Sequence, residues 1–177
     1  MPRPRNEPSN PKSAAKAINH AIDSQADIIS MSWSPSIIRL GGPKQTGQIM
    51  DQVGSPNNVD YTCPGDGVST ERWGPGEIRE THSLTGSSVA TALAAGLAAL
   101  ILYCAQVRLA LSEGEERPTA SASLGKLRTP EGMRTAFDTM RNEDRYLAVW
   151  KAFGKTDPFS SSRVRDDVVR VATTLSP

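Results

Sequence analysis

The chain has 177 residues, which suits a single domain of ordinary size. Its formal net charge is +1 and its acidic and basic residues are interleaved, so we expect neither a nucleic-acid footprint nor a strongly acidic partner. Aromatic residues make up 5% of the sequence, so a core has to be built mainly from Ala, Val, Ile and Leu.

The N-terminal residues and the cysteines limit the cellular setting. Residues 1–11 contain Arg3 and Arg5 but no apolar segment, so no secretory signal is predicted. The two cysteines, Cys63 and Cys104, have neither the number nor the spacing of a disulfide framework or a metal site. We therefore expect reduced, buried cysteines in a cytoplasmic protein without a metal or a cofactor.

The first predicted element is a helix that begins at Asn10-Pro11, a good N-cap followed by proline at the first helical position. Small and aliphatic residues then recur at helical spacing up to Ile22, which predicts one apolar stripe. Residues 27–33 are mostly apolar and predict a buried strand. A helix followed closely by a strand is typical of an α/β fold.

Residues 35–82 are rich in Gly and Pro turns, with room for short strands at 37–40 and 59–61. A long helix is predicted from about Ser88 to Leu111, and its apolar residues extend almost all the way round, which indicates a central, buried helix. Its most apolar part is about 17 residues long, shorter than the ~20 that a membrane span needs, so no membrane partner is expected.

The rest of the chain is predicted to be a separate helical extension. Residues 112–129 are charged and contain Ser, Ala and Pro, so they are predicted to be a mobile linker between a first domain at 10–111 and an extension at 130–177. Within the extension, Thr129-Pro130 caps a helix. Its predicted apolar face consists of Met133, Ala136, Phe137 and Met140. We predict two further helices after it, a short one near 146–153 and a weakly amphipathic one at 164–175.

Residues 85–91 read Thr-Gly-Ser-Ser-Val-Ala-Thr and lie where a loop becomes the long helix. The first turn of a helix leaves N–H groups unpaired and carries partial positive charge, so it stabilises an oxyanion. The run resembles the nucleophile motif of subtilisin-like serine peptidases, Gly-Thr-Ser-x-Ala-Thr. The resemblance places Ser88 in the nucleophile position, with Gly86 and Ser87 beside it in the substrate site. The alternative is that a serine here, Ser87 above all, only caps the helix.

Two further segments resemble the same family and occur in the family's order. Residues 17–33 are similar to its helix and strand, A-I-x-x-A-I-x-x-x-A-D-V-I-N-M-S, whose end lines the substrate cleft. The resemblance therefore implies that Ser32 and Trp33 contact substrate, although a lone tryptophan after a strand is also typical of a core. Residues 59–68 are similar to the V-D-x-x-A-P-G-x-x-V segment that precedes the nucleophile.

The implied fold is α/β: a partial doubly wound parallel sheet of the subtilisin type, with a central buried helix that starts near Ser88, and C-terminal helices after it. Residues 127–134 resemble the C-terminal extensions of large fungal subtilase-like proteins. The resemblance thus covers the C-terminal half of a subtilase, with an internal deletion between 33 and 59.

The chain departs from the family pattern where the rest of the catalytic site would be. The Asp-Thr-Gly and His-Gly-Thr segments are absent, and so is the Ala-Ala-Gly-Asn segment whose asparagine completes the oxyanion hole. A nucleophilic serine needs an adjacent base and an orienting carboxylate. The two histidines of the chain are His20 and His82, and no motif places a carboxylate beside either, so both are expected to be solvated.

Two aspartates flank the Pro-Gly turn of residues 59–68. Asp60 and Asp66 are either acids of a substrate cleft or turn residues that bond to local backbone, which is the usual role of aspartate in turns.

Three functions stay open at this point. The chain is a serine endopeptidase fragment whose Ser88 attacks a peptide or protein substrate once a second polypeptide supplies the missing residues. Alternatively, it is a non-catalytic remnant or pseudopeptidase that binds extended peptides by strand addition at residues 30–33. The third possibility is an interaction module that acts through the C-terminal helices.

Overall fold

The computed structural model describes residues 11–30, 38–42, 59–72, 80–154 and 161–177. In these ranges the fold is mixed α/β and mostly helical, with two small sheets. The mixed class agrees with the sequence prediction.

The described residues form six helices and four strands in the following order along the chain: α1 Pro11–Asp23, β1 Leu40–Gly41, β2 Tyr61–Thr62, β3 Val68–Arg72, β4 Glu80–Leu84, α2 Ser87–Leu111, α3 Glu116–Leu127, α4 Pro130–Met140, α5 Trp150–Phe153 and α6 Ser161–Thr174.

The strands pair in two separate two-stranded sheets. β1 runs parallel to β2, with Leu40 opposite Tyr61, so strands lie close to both predicted positions. β3 and β4 form an antiparallel hairpin, with Val68 opposite Leu84, which the sequence analysis did not predict. The strand predicted at 27–33 is absent from Asp27–Ser30, which follow α1 without regular structure, and residues 31–33 lie outside the described ranges.

Helix α2 is the centre of the core, as predicted, but it is covered on one side. It packs against α3, α6 and β1. Its buried residues recur at helical spacing and are Ala90, Ala94, Leu97, Ala98, Ile101, Leu102, Cys104 and Ala105. On the opposite face Leu93, Leu100 and Tyr103 are 42%, 44% and 59% exposed. The prediction of burial all round the helix is therefore wrong, because no described element packs on this second face.

The apolar character of α2 also bears on membranes. Among the described helices, α2 alone is long and apolar enough to cross one, with a mean hydropathy of 2.0 in its most apolar window, of which 39% is buried within the fold. Length and composition do not separate a membrane span from a core helix.

The predicted linker at 112–129 contains helix α3. Its buried residues, Ala120, Ser123, Leu124 and Leu127, follow helical spacing and face the core. This helix was not predicted, because half of its buried face consists of Ala and Ser, which do not produce a clear apolar stripe in the sequence. The division into two domains stays a prediction.

Helix α4 confirms its predicted cap and its predicted face. The Thr129 hydroxyl accepts a hydrogen bond from the Gly132 N–H at 3.1 Å, and Pro130 is the first helical residue. All four residues of the predicted apolar face are buried: Met133, Ala136, Phe137 and Met140. The predicted short helix is limited to α5, and α6 matches the last predicted helix.

Asp60 joins β2 to two other parts of the fold. Its carboxylate accepts hydrogen bonds from the backbone N–H and the Nη2 of Arg39, both at 2.9 Å, and from Nη2 of Arg134 at 3.2 Å. Next to it, the Tyr61 hydroxyl lies 3.1 Å from the Asp138 carboxylate. These contacts fix the segment that leads from β2 into the Pro-Gly turn.

We expect the replacement Asp60→Asn to lower the free energy of unfolding by about 1–3 kcal/mol near neutral pH, because the two guanidinium groups lose their charged acceptor. Burial raises the pKa of Asp60, but the hydrogen bonds and charges of Arg39 and Arg134 outweigh it and hold the pKa below its ordinary value.

The sign of the pH dependence follows from this lowered pKa. The stabilisation by Asp60 is complete above the unfolded-state pKa and is lost as the pH falls through the folded-state pKa. Urea denaturation of both proteins between pH 7 and pH 3 checks this, since the difference should shrink on the acid side. A difference that grows with acid would contradict the assignment. The variant Asp144→Asn, at an exposed carboxylate that accepts a local backbone hydrogen bond from Tyr146, is the control.

Candidate functional site

Ser88 is exposed in the first turn of α2, two residues after the helix N-cap. The N-cap is Gly86, and no side chain caps the helix. The alternative in which Ser87 is the cap is therefore wrong: Ser87 is the first helical residue, and its carbonyl oxygen accepts a hydrogen bond from the Thr91 hydroxyl at 2.9 Å. The N–H groups of Ser87 and Ser88 have no acceptor within the helix, because they belong to its first turn.

Gly86 has a backbone conformation that residues other than glycine rarely adopt. Its φ is 147° and its ψ is 157°. A Cβ atom at this position would lie 3.2 Å from Oγ of Ser88. The absence of a side chain at Gly86 thus leaves room for the Ser88 hydroxyl directly over the turn that enters the helix.

The loop at residues 65–67 lies against the loop that precedes Ser88. The Gly86 N–H donates to the carbonyl oxygen of Gly65 at 2.7 Å. The Gly67 N–H donates to the Thr85 hydroxyl oxygen at 3.1 Å, and that hydroxyl donates to the Asp66 carboxylate at 3.0 Å. We call these three contacts the 65–86 bridge. They bring together two of the three segments on which the family resemblance rests.

The two aspartates bond to other segments of the chain. Asp60 accepts hydrogen bonds from Arg39 and Arg134, and Asp66 accepts one from the Thr85 hydroxyl. A role for either as an acid of a substrate cleft stays a prediction. Sequence reasoning did not single out Thr85, whose hydroxyl joins the two loops. Its position before a Gly-Ser pair was the available signal, but nothing in the sequence indicates that its hydroxyl reaches a residue 19 positions earlier.

Within the described part of the chain, Oγ of Ser88 has no hydrogen-bond partner and no histidine is seen beside it. His20 lies exposed on α1. His82 lies in β4, opposite Thr70 of β3, and its side chain is outside the described atoms. Ser32 and Trp33, the predicted cleft residues, also lie outside the described ranges. Ser88, Ser87 and Gly86 are therefore the predicted site residues that the structure places together.

The two cysteines are buried, at 5% and 4% exposure for Cys63 and Cys104. Burial raises the pKa of the Cys63 thiol to about 11 and raises the pKa of the Cys104 thiol as well. Neither is poised to act as a nucleophile at neutral pH. Among the described residues, no group of His, Cys, Asp and Glu side chains has the arrangement of a metal site.

An apolar groove of about 390 Å³ opens along α2 one turn after Ser88, where Thr91 lies on its wall. Its lining comes from helices α1, α2, α3 and α4, from β1 and from residues 26–30, and includes the aliphatic residues Ile22, Leu40, Ala95 and Leu102. At its edge Nε of Arg128 lies 3.0 Å from the Asp27 carboxylate. Its volume is in the range of small-ligand pockets.

Comparison with known proteins gives no neighbour for this chain. No protein-family model matches it, and no curated protein or solved structure matches it either. The family resemblance therefore depends on the three segments themselves.

Proposed function

We propose that this chain carries the nucleophile half of a subtilisin-like serine peptidase site, with Ser88 as the residue that attacks the carbonyl of a peptide or protein substrate. The observation that carries the proposal is the 65–86 bridge, because it joins two of the resembling segments at an exposed serine in the first turn of a helix. The proposal includes a subtilisin-type sheet that would be completed by a second polypeptide in the cytoplasm.

The geometry supplies two of the features that acyl transfer needs. Ser88 is exposed, and the N–H groups of the first turn of α2, which have no acceptor within the helix, would stabilise negative charge on an attacked carbonyl oxygen. Attack would form a bond from Oγ to the carbonyl carbon, with the hydroxyl proton passing to a base. The described residues place no base there, and the sequence lacks the family's histidine segment.

The missing groups set the expected rate. When members of a serine-histidine-aspartate triad are lost, only a residual acceleration of about 10³–10⁴ over water remains. The loss of one oxyanion donor removes roughly another 10²–10³. The isolated chain is therefore expected to be almost inactive as a peptidase.

The test supplies the missing base from solution. We expect a fluorophosphonate probe alone to leave the full chain unlabelled, and added imidazole to produce labelling that rises with imidazole concentration. In that reaction the bond from Oγ to phosphorus forms, fluoride leaves and imidazole takes the proton. Intact-protein mass spectrometry followed by peptide mapping measures the labelled fraction and the labelled residue.

Matched variants separate this site from ordinary serine reactivity. Ser88→Ala should abolish the labelling, whereas Ser83→Ala, at another exposed serine that lies in β4 and outside the predicted site, should keep it. Imidazole-dependent labelling spread over several serines, or none in a folded chain, would contradict the proposal. The second result would favour the alternative of a non-catalytic peptide- or protein-binding module.

A further inference from the structure

The backbone before Ser88 is held in a rarely occupied conformation by contacts from another part of the chain. Gly86 adopts φ 147° and ψ 157°, a backbone conformation that is found almost exclusively at glycine. Such a conformation persists only where contacts from the surrounding structure hold it. Here those contacts are the three hydrogen bonds of the 65–86 bridge. Two of the three pass through one atom, Oγ1 of Thr85.

We propose that Thr85 and Asp66 are positioning residues, which hold the Ser88 side chain at the N-terminus of α2 through the backbone of Gly86. This inference rests on the proposed function, because it assigns these two residues to the same site. Neither residue contacts the reacting atoms. Their role is to hold the loop that enters α2, so that the first helical turn, which carries both Ser88 and the unpaired N–H groups, stays formed.

The chemistry of the bridge explains why both residues are needed. The Thr85 hydroxyl accepts from the Gly67 N–H and donates to Asp66, so it uses its donor and its acceptor at once. Valine has nearly the shape of threonine but can form neither bond. Serine can form both. The hydrogen bond to a carboxylate is also stronger than one between neutral groups.

A thiol at position 88 reports this positioning without any base. In the variant Ser88→Cys, a thiol held at the N-terminus of α2 should ionise more readily than an ordinary thiol, because the unpaired N–H groups stabilise the thiolate. The rate of alkylation by iodoacetamide, measured against pH, gives the midpoint of this ionisation. The unsubstituted chain is the blank, since its own two cysteines are buried.

In the Ser88→Cys background, Thr85→Val is expected to raise the alkylation midpoint by about one pH unit, toward that of an ordinary thiol. Thr85→Ser should leave the midpoint unchanged, and Thr85→Ala, which also lacks the hydroxyl, should shift it in the same direction as valine. Thr91→Val is the matched control, because it removes a hydroxyl hydrogen bond of the same helix that is not part of the bridge. Circular dichroism of each variant confirms that the comparison is made on folded protein.

Equal midpoints in Ser88→Cys with threonine, serine or valine at position 85 would overturn the inference. If the valine variant does not fold, Thr85→Ala decides the question in its place. A different combination of results would reject the proposed function while keeping this inference. A Thr85-dependent midpoint without imidazole-dependent labelling of Ser88 would keep the positioning role and reject the peptidase site.

Discussion

Replacement of Phe137 by alanine is expected to lower the free energy of unfolding by about 3–5 kcal/mol. Phe137 is 2% exposed on α4, and its ring meets the ring of Tyr61 edge to face, with 5.3 Å between the centroids. The loss of the ring leaves a cavity and removes the aromatic contact together. Since domains of this kind are stable by about 5–15 kcal/mol, urea denaturation should show a large fall in the midpoint.

The control replaces an aromatic residue that the fold leaves uncovered. Tyr103 is 59% exposed on the far face of α2, so Tyr103→Ala should change the unfolding free energy by no more than about 0.5 kcal/mol. If Tyr103→Ala destabilises the chain as strongly as Phe137→Ala, that face of α2 is covered in solution. Equal stability of Phe137→Ala and the unsubstituted chain would contradict the described core.

The Phe137 contact also bears on the site. Tyr61 lies in β2, and its hydroxyl contacts Asp138 of the same helix α4. Burial and the neighbouring carboxylate of Asp138 raise the pKa of Tyr61 to about 12, so this hydroxyl stays protonated and can donate. From β2 the chain continues through Cys63 into the loop at residues 65–67, so packing on α4 anchors one side of the 65–86 bridge.

The elements that the sequence predicted well are those with a local physical signal. Helix α4 has a threonine cap, a proline at its first position and an apolar face with one period, and each signal acts within four residues. Helix α2 is long and apolar, which fixes its type and position. Its exposed face could not be predicted, because a helix that is apolar all round has no polar face to show which side is left uncovered by other elements.

Elements without such a signal were missed. Helix α3 buries Ala120 and Ser123 beside two leucines, and alanine and serine are equally common on exposed surfaces. Strand β4 ends at the exposed Leu84 and shows no clear alternation of apolar and polar residues. In both cases tertiary contacts, and not the local pattern, select the structure.

The candidate site was predictable only as far as the resemblance reaches. The family resemblance covers both residues 59–68 and residues 85–91, and the structure places the two loops in contact through Gly65 and Gly86. The hydrogen bond between Thr85 and Asp66 joins polar side chains far apart in sequence, and no periodicity reports such a contact. The segment that begins at β2 contacts the core through Tyr61 and the candidate site through Gly65. A change that weakens the core packing of this segment is therefore expected to change the geometry of the site as well.

That coupling makes the corner between α3 and α4 a second place where a small change should have a large effect. We expect Gly132→Ala to lower the free energy of unfolding by about 3 kcal/mol or more, at the upper end of what overpacking costs. A Cβ atom on Gly132 would overlap the carbonyl oxygen of Lys126 and would lie 3.1 Å from the backbone nitrogen of Leu127. Backbone atoms cannot move aside as a flexible side chain can, so the corner itself has to shift.

The matched control is Gly125→Ala, in α3, where an added Cβ atom meets no atom within 4 Å. Alanine in a helix interior is favoured over glycine by about 0.5–1 kcal/mol, so this variant should be more stable than the unsubstituted chain. The two substitutions add the same methyl group seven residues apart and are expected to act in opposite directions. Urea denaturation of both proteins measures the difference. A stabilising Gly132→Ala would show that α3 and α4 do not meet at this corner, and α4 would then not hold Tyr61 and the loop of the candidate site in the described position.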